Sequence, residues 1–283
     1  MSAVRKIFII RPCALGDTIF TEPVVATLHN KYRKADITFA GNSDYCWLLH
    51  KPYSVRTMSS NIFGLGRKDT SCFNQHDISL IFLPRIEEWA KAQGGECKHL
   101  IFHDPRPPRG VHIVDHLLGA LEPLGIKPLR REPRITAQKA KDSRGCVVIH
   151  PGSGGKHKLW PAGFWSELIR KLDKRVILTC GPADADIVGE LAATTHRRLT
   201  LLSNFEITSL AEMLAGVDAY VGVDSGVTHL AAALGVPTFA IYGPTEPAEW
   251  GPRGKRVHVF RNGRECADVT PEEVFAAMKI SLV

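Results

Sequence analysis

The chain has 283 residues, enough for one large or two modest domains, and its 44% apolar and 23% charged residues are the balance of a soluble globular protein. Its formal charge of +7 suits anionic partners, whether nucleic acid, a phosphorylated glycolipid or a membrane face. Because no Lys/Arg tract or nucleic-acid motif accompanies that charge, no apolar run reaches about 18 residues, and the seven cysteines are never spaced C-x-x-C, nucleic-acid binding, a membrane span and a disulfide or metal framework are disfavoured.

The first apolar run, Ile7 to Ile10, is stopped by Arg11 and reads as a strand rather than a signal peptide. Strands are predicted at 6–10, 37–39, 54–58, 78–83 and 99–102, with helices at 17–32, 45–50, 86–93 and 111–124. Strands this short and apolar suit a parallel sheet covered on both faces. Pro23 must kink the first helix or stand near its start. The loop from Arg11 to Thr18 holds a single glycine, so it is no G-x-G-x-x-G fingerprint, and an NAD-dependent Rossmann enzyme is disfavoured. In that loop Gly16 suits the turn. Asp17 suits a helix cap, a carboxylate placed to take a proton, or both. The string from Phe102 to His112, with Arg106 and Arg109, is either a solvated loop or a basic rim for an anionic acceptor.

Residues 127–145 are charged, proline-bearing and weakly periodic, and read as a linker. A second alternation follows, with strands at 146–150, 176–179, 199–202, 219–223, 238–241 and 257–260. Helices are predicted at 162–172, 183–194, 207–215, 227–234 and 271–280. The expected domains are therefore 1–126 and 146–283, two parallel α/β units with a cleft between their carboxyl edges.

The second unit carries two phosphate-binding candidates. After the strand at 146–150, the loop Pro151-Gly152-Ser153-Gly154-Gly155-Lys156-His157-Lys158 combines glycines, a hydroxyl and two lysines, without the spacing of a Walker A loop. After the strand at 219–223, Asp224-Ser225-Gly226 opens a helix. There Ser225, Gly226 and Val227 present N–H groups and a positive dipole end to an anion. Asp224 and Ser225 also serve as candidate caps, and His229 either contacts the ligand or packs. Asp184-Ala185-Asp186 is a D-x-D falling inside a predicted helix, where residues two apart share no face, so metal binding is disfavoured.

Three patterns together resemble the glycosyltransferase family 9 heptosyltransferases of lipopolysaccharide synthesis. They are R-x-x-x-L-G-D-x-I-x-x-x-P from Arg11 to Pro23, H-P-G-S-(x)n-K-x-W-P from His150 to Pro161, and V-D-S-G-x-x-H-L-A-A-A-L-G-x-P-x-x-x-I-Y-G-P-T from Val223 to Thr245. The resemblance implies a GT-B fold, with a nucleotide-sugar, typically ADP-heptose, on the C-terminal domain and an anionic glycolipid acceptor on the N-terminal one. It implies inverting transfer with neither metal nor cofactor, in the cytoplasm, with peripheral contact at the inner membrane left open. It makes Asp17 the general base and gives Ser153 and Lys158 to the donor phosphates. Asp224, Ser225, Gly226 and Val227 then line the diphosphate, with His229 nearby. Arg11, Arg106, Arg109 and His112 are the acceptor-side candidates. The chain is shorter than typical members, and 61–74 shows little clear structure, so the acceptor side is expected to be trimmed. Lys156 competes with Lys158 for the phosphate. The alternatives are a GT-B transferase of another nucleotide-sugar or glycan, and a non-catalytic nucleotide-sugar-binding protein.

Overall fold

The computed structural model describes residues 4–59, 75–83, 97–181, 184–192, 199–203 and 205–281. The chain divides into two compact units, Met1–Ile135 and Thr136–Val283. The predicted helix at 86–93 and the segment 61–74 lie outside the described residues.

In the first unit, β1 (Lys6–Ile10), β2 (Asp36–Gly41), β3 (Arg56–Ser59), β4 (Ile78–Ile81) and β5 (His99–Phe102) form one sheet in the order β3-β2-β1-β4-β5. Every pairing is parallel. Central β1 reads Ile7-Phe8-Ile9-Ile10 and is buried on both faces, as a strand covered by helices on either side must be. Among the described residues the unit's helices are α1 (Leu15–Lys31), α2 (Ser43–Tyr53) and α3 (Ile113–Gly119), and α1 packs on both others.

Three sequence expectations change here. Helix α1 begins two residues ahead of Asp17, and Ala14 occupies its N-cap position without a side-chain cap. Asp17 is thus not the cap. It stands in the first turn, where its charge meets the positive end of the helix. β3 starts late because Ser54 closes α2 in the left-handed region (φ 52°). The helix predicted at 111–124 ends at Gly119 and gives way to a 3-10 turn, Glu122–Leu124, closed by Gly125 at φ 64°. Pro23 lies inside α1, and Thr27 Oγ1 donates to the Pro23 carbonyl at 2.7 Å.

The second unit holds β6 (Cys146–His150), β7 (Arg175–Cys180), β8 (Leu199–Ser203), β9 (Ala219–Val223), β10 (Thr238–Ile241) and β11 (Val257–Phe260), all parallel, in the order β11-β10-β9-β6-β7-β8. Its helices are α4 (Ala162–Lys171), α5 (Ala185–Ala192), α6 (Ile207–Leu214), α7 (Gly226–Ala233), α8 (Pro247–Trp250) and α9 (Pro271–Ser281). Trp160, Trp165, Val147, Ile149, Val221 and Val223 belong to one buried core beneath the carboxyl edge of β6 and β9. In both units the strand order reverses beside a central strand, and ligands bind at such switch points.

The stretch predicted as a linker is tied down at each end. Leu129 N donates to Thr27 Oγ1 at 3.0 Å, Arg134 N donates to Glu22 Oε2 at 2.9 Å, and Arg130 pairs with the fully buried Glu22 carboxylate. Further on, Ala140 N donates to Glu212 O, and Ser143 is buried against Gly216. The first half of the stretch thus belongs to the first unit and the second half to the second.

Candidate active site

The two phosphate-loop candidates of the second unit come together. β6 and β9 are adjacent, with His150 opposite Gly222, so the loops leaving their carboxyl ends meet. Gly152 is forced to be glycine, since a Cβ there would lie 2.0 Å from the Asp184 carboxyl carbon. The buried Asp184 side chain also accepts from Gly181 N at 2.8 Å and faces His150 Nε2 at 4.0 Å. Burial holds the His150 ring below its ordinary value, outweighing Asp184 and the Thr179 hydrogen bond. From this fixed start the loop sends Ser153 Oγ to the Asp224 carbonyl at 2.8 Å.

After a 3-10 turn over Lys156–Lys158, Lys158 Nζ meets Asp224 Oδ2 at 2.7 Å. Lys156 is exposed and makes no ion pair among the described residues. Two anchors fix Lys158. Cys266 Sγ donates to its carbonyl at 3.2 Å, and Trp160, buried two residues later, donates through Nε1 to Val269 O at 2.9 Å. Trp160 packs edge-on against Trp165 with ring centroids 4.7 Å apart. Burial pushes the Cys266 thiol up to about 11, so it stays protonated.

Asp224 is the hub. Burial would raise its carboxyl, but hydrogen bonds from His229, Lys158 and Thr245 overcome that and hold it far below the ordinary range. His229 Nε2 lies 3.8 Å from Asp224 Oδ1. The fully buried Tyr242 also reaches the Asp224 carboxylate. Burial and then that charge drive its phenol far above its ordinary value. Ser225 caps α7, accepting from Thr228 N through Oγ at 3.4 Å. The N-terminal amides of α7, starting at Gly226 and Val227, therefore stand beside a lysine ammonium. A positive helix end with a cation beside it is an anion site. Among the described residues no group of three or more His, Cys, Asp or Glu is placed to hold a metal.

The first unit places Asp17 at the carboxyl end of β1. Its Oδ1 accepts from Arg11 Nη2 at 2.8 Å, and a third of its side chain is exposed. Arg11 is 3% exposed, with its guanidinium carbon 6.0 Å from the Phe82 ring centroid. Burial pushes the neighbouring Cys13 thiol up to about 12, so it is no nucleophile.

The acceptor-side candidates do not gather. Arg11 belongs to Asp17. Arg106 forks onto Asp104, whose carboxyl is held at about 2 by the Arg106 side-chain hydrogen bonds. His112 is buried and caps α3, its Nδ1 accepting from Val114 N at 3.1 Å. Arg109 is exposed. Sequence reasoning missed Asp184, Tyr242, Thr245 and Cys266. Tyr242 and Thr245 stand directly after β10 in Tyr-Gly-Pro-Thr, a strand-end position that could have marked them.

Residues 124–275 match the model of glycosyltransferase family 9 (heptosyltransferase). The chain is 27% identical over 301 residues to lipopolysaccharide heptosyltransferase 3 of Escherichia coli K12, covering 88% of this chain and 85% of that one. It is 39% identical over 118 residues to lipopolysaccharide heptosyltransferase 1 of Pseudomonas aeruginosa, covering 40% of this chain and 33% of the other. Among solved structures, a family 9 glycosyltransferase from Veillonella parvula aligns at a TM-score of 0.81 with 18% identity, over 100% of this chain and 98% of that one. E. coli heptosyltransferase WaaC with ADP aligns at 0.79 with 20% identity, over 98% and 99%. The fold is accordingly GT-B. The family model spans more than half of the sequence, and the chain belongs to glycosyltransferase family 9, the heptosyltransferases.

Proposed function

We propose that the chain moves a heptose from ADP-heptose to an inner-core acceptor of lipopolysaccharide, inverting the anomeric centre and using no metal ion. The observation that carries this reading is the Lys158–Asp224 pair beside the N-terminus of α7, with Ser153 bonded to the same aspartate. Asp224 pairs with the Lys158 ammonium. A donor diphosphate competes for the ammonium while the α7 amides and Ser153 take its remaining oxygens. Asp224 orients Lys158 and His229, since a carboxylate in direct contact with phosphate would repel it.

Asp17 is the base. It takes the proton of the acceptor hydroxyl as that oxygen bonds to the anomeric carbon. The bond from that carbon to the diphosphate breaks on the opposite face, and ADP leaves with the electron pair. Lys158 and the helix end stabilise the growing negative charge, the part a metal plays in other transferases. Solved relatives named as complexes with ADP and with ADP-2-deoxy-2-fluoro heptose support this donor.

The anionic acceptor is assigned to the first unit, which holds 19 of the 36 Lys and Arg but 13 of the 29 Asp and Glu. Arg106 and Arg109 are its exposed candidates, and the enzyme works in the cytoplasm at the inner membrane face. Among the described residues no helix is long and apolar enough to cross a membrane. A titration of purified protein with ADP-heptose, UDP-sugars and GDP-sugars tests the donor. Tightest binding of ADP-heptose, weakened by Lys158→Ala and not by Lys156→Ala, is expected. Preference for a UDP- or GDP-sugar would replace this donor with another.

A further inference from the structure

Arg11 is a buried guanidinium that pairs through one nitrogen only. Nη2 donates to Asp17 Oδ1 at 2.8 Å, whereas the buried Nε and Nη1 have no hydrogen-bond partner. Its main-chain N donates to Ala40 O, so the residue continues the strand edge, and its side chain lies over Phe82. Burying a guanidinium with unpaired donors is costly, and an apolar residue of similar size would fill the space at lower cost. At 3% exposure the group does not present itself to a solvent-borne acceptor.

We propose that Arg11 is a positioning residue for Asp17, a role that rests on reading Asp17 as the base. The guanidinium occupies Oδ1 and fixes the carboxylate rotamer. Among the described residues nothing donates to Oδ2, which is left to take the acceptor proton. Cys13 stays a thiol, its Sγ donating to the Arg11 main-chain carbonyl at 3.2 Å, and so does not repel Asp17. Phe82, the first residue after β4, supplies the ring that backs the guanidinium. The pair is local, within six residues, so it forms with the β1–α1 turn itself.

The test compares Arg11→Ala, Arg11→Lys and Asp17→Ala with the wild type. It reads kcat, ADP affinity and melting temperature, with and without millimolar guanidinium. Misplacing a catalytic group by about an ångström costs on the order of 100-fold, so Arg11→Ala should lose about that much kcat while ADP affinity stays within about two-fold. Added guanidinium should restore at least about ten-fold in Arg11→Ala and nothing in Asp17→Ala, because only the former keeps the carboxylate to be held. If Arg11→Ala does not fold, Arg11→Lys decides: a point charge cannot reproduce the planar fork, and about a ten-fold loss in kcat is expected. Wild-type kcat in the variant that folds overturns the proposal. So does lost kcat that guanidinium does not restore while ADP affinity and melting temperature fall with it. Full turnover by Asp17→Ala would instead overturn the base assignment, which no result on Arg11 alone can do.

Discussion

The two units solve their ligand edges differently. In the second, Lys158, His229, Thr245 and Tyr242 converge on the Asp224 carboxylate, Ser153 bonds the Asp224 main-chain carbonyl, and buried Trp160 and Cys266 lock the loop that carries the lysine. In the first, among the described residues, the Arg11–Asp17 pair stands at the edge, and the other basic candidates are engaged elsewhere or exposed. A cross-tied edge can be complete before its ligand arrives. An edge with one fixed carboxylate positions a proton acceptor and leaves recognition to exposed groups. The contrast fits a constant anionic donor on one unit and a bulky acceptor on the other.

Four substitutions would break or sharpen this contrast. Asp17→Ala removes the proposed base, and a kcat loss of about 10²–10⁴-fold is expected, with donor affinity within a few-fold. Comparable loss of donor binding, measured by calorimetry, would place Asp17 in donor recognition instead. Glu22→Ala leaves Arg130 without its buried partner and should cost about 3–5 kcal/mol of stability in denaturant unfolding. An unchanged midpoint would mean that the stretch after Lys127 is held by other contacts. Lys158→Ala removes the proposed charge-assisted contact to the diphosphate, about 1.5–3 kcal/mol or ten- to a hundred-fold in donor affinity, and turnover should fall with it. Lys156→Ala should change donor affinity by less than about two-fold, as expected for an exposed lysine without an ion pair. If the effects are exchanged, the phosphate sits on Lys156.

Stability should also depend on pH. Burial lowers the His150 and His103 values in the folded protein, so below about 6.5 the unfolded chain binds protons that the folded chain does not. Stability therefore falls as pH drops through that window. His150→Gln should flatten the fall in a series of thermal melts, and an unchanged slope would assign it to other groups.

Much of the fold was legible because apolar runs end abruptly. β1, β5, β6, β9, β10 and β11 match their expected bounds, each a largely apolar run followed by Arg, His, Pro, Asp or Tyr. The helix starts were less legible. α1 has no capping side chain, and its first turn is set by the chain leaving β1. The two loops that meet at Asp224 were visible as glycine, serine and lysine at strand ends. Their cross-links were not. Asp184 beneath Gly152, Tyr242 against Asp224 and Cys266 beneath Lys158 are meetings of residues 18 to 108 positions apart, and no local pattern encodes them. The choice between Lys156 and Lys158 was open for the same reason, because only the fold brings Asp224 to one of them.

The most direct test of the account is transfer itself, measured with ADP-heptose and a lipopolysaccharide inner-core acceptor for the wild type and Asp17→Ala, alongside ADP binding by both. The account predicts heptose transfer with inversion by the wild type, and none by Asp17→Ala despite near-normal ADP affinity. Equal turnover by the two proteins, or wild-type transfer only from a different nucleotide-sugar, would contradict it.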